Sequence, residues 1–422
     1  MTNNRIRASM PECLKLIIIM LCILFYLYYG IYKILFVNFS SAGIDFSSGY
    51  YAAQDFFKGH NVYGRNYNYW YLPMDLLLFF LFATTTLHKA IVIWFIISQL
   101  LALLSFCLLY KSGSKTNRLN SAVAVTTSLC LSMPLYQNIF SGNINMLIFA
   151  GISLAYALIF AGRTKWVPII ISFLTFLKIY PAFFMSTFIR TRSYSLFKMF
   201  VLFSGLLLLL SISIFGLEMH YSFLSHLQAL SNFVGKYHCL SFSFVMILFL
   251  PQVHANIIFV INLLFCAVLL ILWWRNAQRR PEPEFTTSAT IVDLFVLTVI
   301  LVMVLPSSWL FYHSLFIPIF YFIILIWLER KEQLAFIKGF WCLFFLINFW
   351  EIIMYQIPLT PDGVAFYQIN TNRESYPLLY PIIASVPFLL NVLFFAWLLI
   401  NYRGLRNGVT ALTQKRANVT SQ

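Results

Sequence analysis

The chain has 422 residues, of which 61% are hydrophobic and only 10% charged. A soluble domain of this length needs far more surface charge, so the composition excludes a soluble enzyme and indicates a polytopic membrane protein. The net charge of +15 comes from basic residues that recur in short loops between apolar runs, which argues against a nucleic-acid partner.

A membrane-crossing helix needs about 20 apolar residues. On that measure about ten full spans are expected, near 14–37, 89–110, 119–136, 144–161, 195–216, 254–274, 289–306, 314–328, 336–355 and 377–401. Arg5, Arg7 and Lys15 before the first run could mimic a signal peptide. The run is too long and lacks a small-residue cleavage site, so a retained first helix is expected. Most of the 28 Lys and Arg lie in alternate loops, among them Lys111, Lys115, Arg163, Lys165, Arg190, Arg192, Arg275, Arg330, Arg403 and Lys415. The positive-inside rule then puts both termini in the cytoplasm, with residues 43–88 as the first outer loop and 403–422 as a disordered cytoplasmic tail.

That outer loop opens with Gly43-Ile44-Asp45-Phe46-Ser47-Ser48-Gly49-Tyr50. Ser47 and Ser48 can cap a helix that Gly59 ends. Phe46, Tyr50, Ala53 and Phe57 share one face of it, as expected of a short helix lying on the membrane surface. Residues 72–87 form a second short apolar helix, in the interface or dipping partway in. Residues 166–189 carry Lys178, Tyr180 and Pro181 at their centre with basic residues on both flanks. Entry and exit on the same side requires two half-helices broken at Lys178-Ile179-Tyr180-Pro181, a geometry tolerated only where it lines a protein cavity. The alternative is one continuous span that inverts everything downstream. The segment 281–285 (Pro-Glu-Pro-Glu-Phe) reads as a solvated loop. The chain is taken as a single integral membrane domain, residues 1–422, without internal repeats.

The polar groups on the outer side are the candidates for chemistry. Asp45 fits either a carboxylate that favours a helix N-terminus or a general base where water meets lipid. Asp55 is on the polar side of the same helix and reads as solvated. Lys178 sits at membrane depth, where an ionisable residue is a functional hypothesis by default; it either snorkels or holds an anionic headgroup such as a phosphate. His313 in Leu305-Pro306-Ser307-Ser308-Trp309-Leu310-Phe311-Tyr312-His313 is either an interfacial hydrogen-bonding aromatic or a phosphate contact. Asn143 and Asn145 fit helix capping or substrate binding. Arg65, among Tyr63, Tyr67, Tyr69, Trp70 and Tyr71, fits an aromatic belt or a phosphate site. The seven Cys show no metal-ligand spacing and read as core or lipid-facing residues. No phosphate loop, Rossmann glycine pattern, zinc motif, nucleophile elbow or Asp-x-Asp motif occurs, so no cofactor and no metal site are expected.

Four segments in order resemble the polyprenyl-phosphate-dependent glycosyltransferases of the GT-C superfamily, and most closely glycosyltransferase family 87. They are Asp45-Phe46 with Tyr50-Tyr51-Ala52-Ala53, Gly59, Tyr63 and Tyr71-Leu72-Pro73; Ser141-Gly142-Asn143-Ile144-Asn145; Leu177-Lys178-Ile179-Tyr180-Pro181; and Pro306-Ser307-Ser308-Trp309 with His313. Three features depart from the family pattern: Asn143 stands where the family has Gln, Leu305 where it has Ser, and His313 comes slightly later than in the family. The resemblance covers residues 45–318. It implies an all-α, GT-C-like helical bundle, and an inverting enzyme that takes a hexose (mannose) or pentose from a polyprenyl-phosphate donor. The acceptor would be a hydroxyl of a lipid or glycan at the membrane. On this reading Asp45 is the base, and Lys178, His313, Tyr50, Tyr180, Asn143, Asn145, Arg65 and Trp309 bind substrate. A lipid-linked sugar transporter or flippase would be expected to show internal repeats and more intramembrane charge. A glycan polymerase would be expected to have a larger late outer loop than 356–376.

Overall fold

The computed structural model describes residues 10–37, 42–63, 69, 71–114, 117–230, 241–278, 286–305, 310–330, 337–356 and 379–420. All regular structure among them is helical. Seven helical stretches are long and apolar enough to cross a membrane: Glu12–Phe36, Leu87–Gly113, Tyr194–His226, Asn256–Gln278, Thr287–Val304, Tyr312–Glu329 and Tyr380–Asn418. These are seven of the ten expected spans. Residues 144–161 form the shorter helix α7 (Asn145–Phe160). The run 119–136 is not one helix. It divides into α5 (Arg118–Cys130) and α6 (Met133–Ser141) at Leu131-Ser132, with Pro134 in the first turn of α6.

Burial separates core helices from lipid-facing ones. The span Thr287–Val304, helix α13, has 89% of its apolar window buried, against 11% for Tyr194–His226 in α10 (Tyr194–Leu230). Leu202, Leu206, Leu209 and Leu217 of α10 are exposed, as suits a helix whose solvent is lipid. At Gly216 (φ 74°) α10 leaves helical geometry. Around this bend Phe215 packs on Phe56 and Phe80, and Phe223 packs on Tyr63.

The first loop folds inward. Helix α2 (Ile44–Phe57) buries Phe46, Tyr50 and Ala53, and Phe46 packs against Phe79, Phe82 and Trp94. Its apolar face is therefore covered by protein and not laid on the membrane, and Phe57 alone of the four expected face residues is exposed. The cover is α3 (Leu76–Phe80), which follows a 3-10 turn at Pro73–Asp75, and the start of α4 (Leu87–Ser114). The cap differs from expectation too. Gly43 occupies the N-cap with φ 79°, and Ser47 Oγ donates to Ile44 O inside the first turn. The C-terminus ends as expected at Gly59, where Gly59 N–H reaches Phe56 O and His60 N–H reaches Asp55 O, the Schellman pair.

Helix α8 (Val167–Leu177) stops where Lys178 turns extended (φ −148°, ψ 137°). A helix continuing through Pro181 would set its ring against the Leu177 carbonyl, so the break lies one turn before the proline. A 3-10 segment, Tyr180–Met185, and α9 (Ser186–Arg190) follow. The returning limb runs beside α8: Phe184 and Phe188 line one apolar crevice with Val167, Ile171, Tyr156 and Leu294. At its end Arg190 is paired with the fully buried Asp293 of α13. Asp293 also accepts from Trp273 Nε1 at 3.0 Å and Tyr402 OH at 2.6 Å. Trp273 belongs to α12 (Ala255–Gln278).

Residues 403–420 are not a disordered tail. They continue the last helix, which runs from Leu379 to Thr420. Leu405, Val409 and Leu412 are buried, and Gly408 sits against Ile326 of the helix Ile317–Arg330. Lys415 Nζ bonds Glu329 Oε2 at 2.7 Å on that same helix.

Candidate active site

Two glycines bring distant segments together. Gly142 ends α6 in the left-handed region (φ 70°), with Gly142 N–H on Ile139 O and Asn143 N–H on Asn138 O, a second Schellman pair. Gly43 N–H donates to Phe140 O at 2.8 Å, which ties the start of α2 to the end of α6. A Cβ on Gly142 would lie 2.7 Å from Phe46 Cβ and 3.3 Å from Gly43 Cα. Position 142 has no room for a side chain against α2. Asp45 and Asn143, 98 residues apart, are thereby placed side by side, and Asn143 Nδ2 donates to Asp45 Oδ2 at 2.8 Å.

Asn143 passes the contact on. Its Oδ1 accepts from the Asn145 backbone N–H at 2.9 Å and from Lys178 Nζ at 3.2 Å. Lys178 Nζ also donates to Asn145 Oδ1 at 3.0 Å and Tyr312 OH at 3.4 Å. It lies 5.1 Å from the centroid of the Tyr71 ring and 5.3 Å from that of Tyr312. Tyr180 OH shares Asn145 Oδ1 at 3.1 Å, and its ring meets Tyr312 at 5.5 Å. Asn138 Nδ2 donates to Ser314 Oγ at 2.8 Å and so fixes the 3-10 turn that carries Tyr312.

The ammonium is therefore held by neutral oxygens and ring faces, with no carboxylate bonded to it among the described residues. Its positive charge stays available for a ligand. The half-buried Asp45 stands one amide away, on α2. A cation for an anionic leaving group and a carboxylate for an incoming hydroxyl are the two groups a metal-independent group transfer needs.

The sequence model of glycosyltransferase family 87 matches residues 69–306, more than half of the chain. The chain belongs to glycosyltransferase family 87. No curated protein matches it. In this family 87 glycosyltransferase the matched segment holds Asn143, Asn145, Lys178 and Tyr180, while Asp45 precedes it and Tyr312 and His313 follow it.

Five expected site residues thus converge in this family 87 glycosyltransferase: Asp45, Asn143, Asn145, Lys178 and Tyr180. Tyr50 stands apart. Its hydroxyl donates to Thr85 O at 2.6 Å and accepts from Gln54 Nε2 at 2.9 Å, so it pins α2 to the loop before α4. His313 also turns away. It is buried, with Nε2 at 2.8 Å from Asn391 Oδ1 and its ring on Phe316, while the adjacent Tyr312 faces Lys178. Arg65 and Trp309 lie outside the described residues. The sequence reading gave no role to Tyr312 or to Asp75. Tyr312 carries no motif of its own. Asp75 did carry a signal, as an acid within the apolar run Tyr71-Leu72-Pro73-Met74-Asp75-Leu76-Leu77.

Proposed function

We propose that this enzyme transfers a sugar, a hexose such as mannose or a pentose, from a polyprenyl-phosphate donor to a hydroxyl of a lipid-linked or cell-envelope glycan acceptor. The reaction takes place at the non-cytoplasmic face of a bacterial inner membrane, with both termini in the cytoplasm. Lys178 neutralises the donor phosphate. Asp45 removes the acceptor proton as the acceptor oxygen bonds the anomeric carbon and the phosphate oxygen departs with the bonding electron pair. Attack from the side opposite the phosphate inverts the anomeric centre. The observation that carries this reading is the Lys178 ammonium, bound only by neutral groups among the described residues and joined through one asparagine to Asp45. A lipid phosphate at headgroup depth needs such a cation, and charge-assisted contacts to it are the strong ones.

The test is sugar transfer from a labelled polyprenyl-phosphate sugar by the purified protein in lipid. Asp45→Asn keeps the shape and removes the base, so turnover should fall about 10²- to 10⁴-fold with donor affinity little changed. Lys178→Ala should weaken donor binding. Near-normal turnover by folded Asp45→Asn would overturn the assignment. If Asp45 only assisted its helix, the substitution would cost about 1 kcal/mol of stability and spare turnover.

A further inference from the structure

Lys178 feels two carboxyl groups. One is Asp45, reached through Asn143. The other is Asp75, in the 3-10 turn Pro73–Asp75, whose charge also acts on Lys178. Asp75 is fully buried. Its Oδ2 accepts from Tyr69 OH at a long 3.4 Å, and that hydroxyl has a second, nearer acceptor in Leu72 O at 3.2 Å. Among the described residues its Oδ1 has no hydrogen-bond partner. Asn145 is similarly incomplete: Oδ1 accepts from Lys178 and Tyr180, while the fully buried Nδ2 donates to no described residue. Buried polar groups are nearly always paired, so two such atoms near a cation that no described carboxylate bonds point to a ligand site.

The ligand's sign follows from the donors. Asn145 Nδ2 and Lys178 Nζ both offer N–H, which suits an oxyanion. An ionised Asp75 would repel that anion and give it no hydrogen. With both carboxylates charged, Asp45, Asp75 and Lys178 carry a net negative charge; with Asp75 neutral they sum to zero. Burial pushes the Asp75 carboxyl well above the usual carboxylate range, against the opposing pull of Lys178 and the Tyr69 hydroxyl. Among the described residues, the other titratable groups around Lys178 and Asp75 are the phenols of Tyr63, Tyr69, Tyr71, Tyr180 and Tyr312.

We propose that Asp75 is a donor-binding residue that acts as the neutral acid, giving its hydrogen to a phosphate oxygen of the sugar donor beside Lys178 and Asn145. This rests on the polyprenyl-phosphate reading above and adds a second, chargeless anchor to it. The acid fastens the phosphate without cancelling the Lys178 charge.

The probe is a short-chain prenyl phosphodiester, whose single charge does not change across the neutral range. Its affinity is measured on the full-length purified protein. Asp75→Asn keeps a neutral hydrogen-bond donor and should bind within a few-fold of wild type. Asp75→Leu should bind about 10- to 100-fold more weakly, the loss of one hydrogen bond to a charged group. Wild-type affinity should fall as pH rises through the Asp75 titration, and Asp75→Asn should lose that part of the fall and keep only the part that follows loss of the Lys178 proton. The proposal is overturned if Asp75→Asn loses as much as Asp75→Leu, or if Asp75→Leu binds like wild type. A pH profile that is flat in wild type, or that is the same in wild type and Asp75→Asn, overturns it as well. Should Asp75→Leu not fold, folded Asp75→Asn decides alone by its affinity and pH profile. Failure of the wild type to bind the probe at all would sink the polyprenyl-phosphate donor itself. Binding indifferent to Asp75 would sink only this assignment.

Discussion

Replacing Gly142 by Ala tests how the site is assembled. Two penalties act there. The first is conformational: at φ 70° an L-residue's Cβ crowds the backbone, at a cost of about 1–2 kcal/mol. The second is packing, because the new methyl would sit 2.7 Å from Phe46 Cβ and 3.3 Å from Gly43 Cα. Phe46 is itself wedged between Phe79, Phe82 and Trp94 and cannot swing aside. Overpacking of this kind costs about 1–3 kcal/mol more. Gly59→Ala supplies the control, since its φ is 74° and nothing lies within 4 Å of the added Cβ. It should show the conformational cost alone. The relief open to Gly142→Ala is for α2 to lift off α6, which carries Asp45 away from Asn143. A displacement of about 1 Å at a reacting group can cost on the order of 10²-fold in rate. Unfolding midpoints in detergent and single-turnover sugar transfer are measured on wild type and both variants. Gly142→Ala should lose more stability than Gly59→Ala, and it alone should lose turnover. Equal losses in the two variants would refute the close backbone approach as the device that sets Asp45.

At the far end of the broken hairpin, Asp293→Ala leaves Arg190 without its carboxylate and strips Trp273 and Tyr402 of their acceptor. Such an uncompensated buried charge costs about 3–5 kcal/mol, so a drop below about 1 kcal/mol in denaturant unfolding would dismiss the pair as structural. For orientation, Lys58→Cys and Lys165→Cys, both exposed in this fold, should react with a membrane-impermeant thiol reagent from opposite sides. Labelling of both from one side would reverse the proposed topology.

Local chemistry made much of the chain legible. Hydropathy alone places seven long apolar helices within a residue or two of where several of them begin, because about 20 apolar residues have no alternative to a membrane or a core. Pro181 announced the end of α8, since its ring excludes a helical carbonyl four residues earlier. Gly59 announced the end of α2 through its access to the left-handed region. Asp45 and Lys178 stood out because charge near lipid needs a reason. The cap at Gly43, the division of 119–136 at Leu131-Ser132 and the helical run through Thr420 were not read. The first and last are set by contacts with Phe140, Ile326 and Glu329, far away in sequence, whereas the division had a local signal in Pro134 that went unread.

What tertiary structure decided is which groups meet. Periodicity identified the apolar face of α2 but not its partner, because lipid and protein accept the same side chains. Only the packing of α3 and Trp94 shows that the face turns inward. The Asp45–Asn143 contact spans 98 residues and depends on Gly142 meeting Phe46 and Gly43, and Tyr312 reaches Lys178 across 134. Between the neighbours Tyr312 and His313, sequence favoured the histidine for its chemistry. The 3-10 turn held by Asn138 and Ser314 sets the tyrosine beside Lys178 and the imidazole against Asn391. Composition and local stereochemistry singled out a cation and a carboxylate as the charges to explain. Their separation by a single asparagine side chain is a property of packed helices, because no local term in the chain records a distance between segments that meet only when folded.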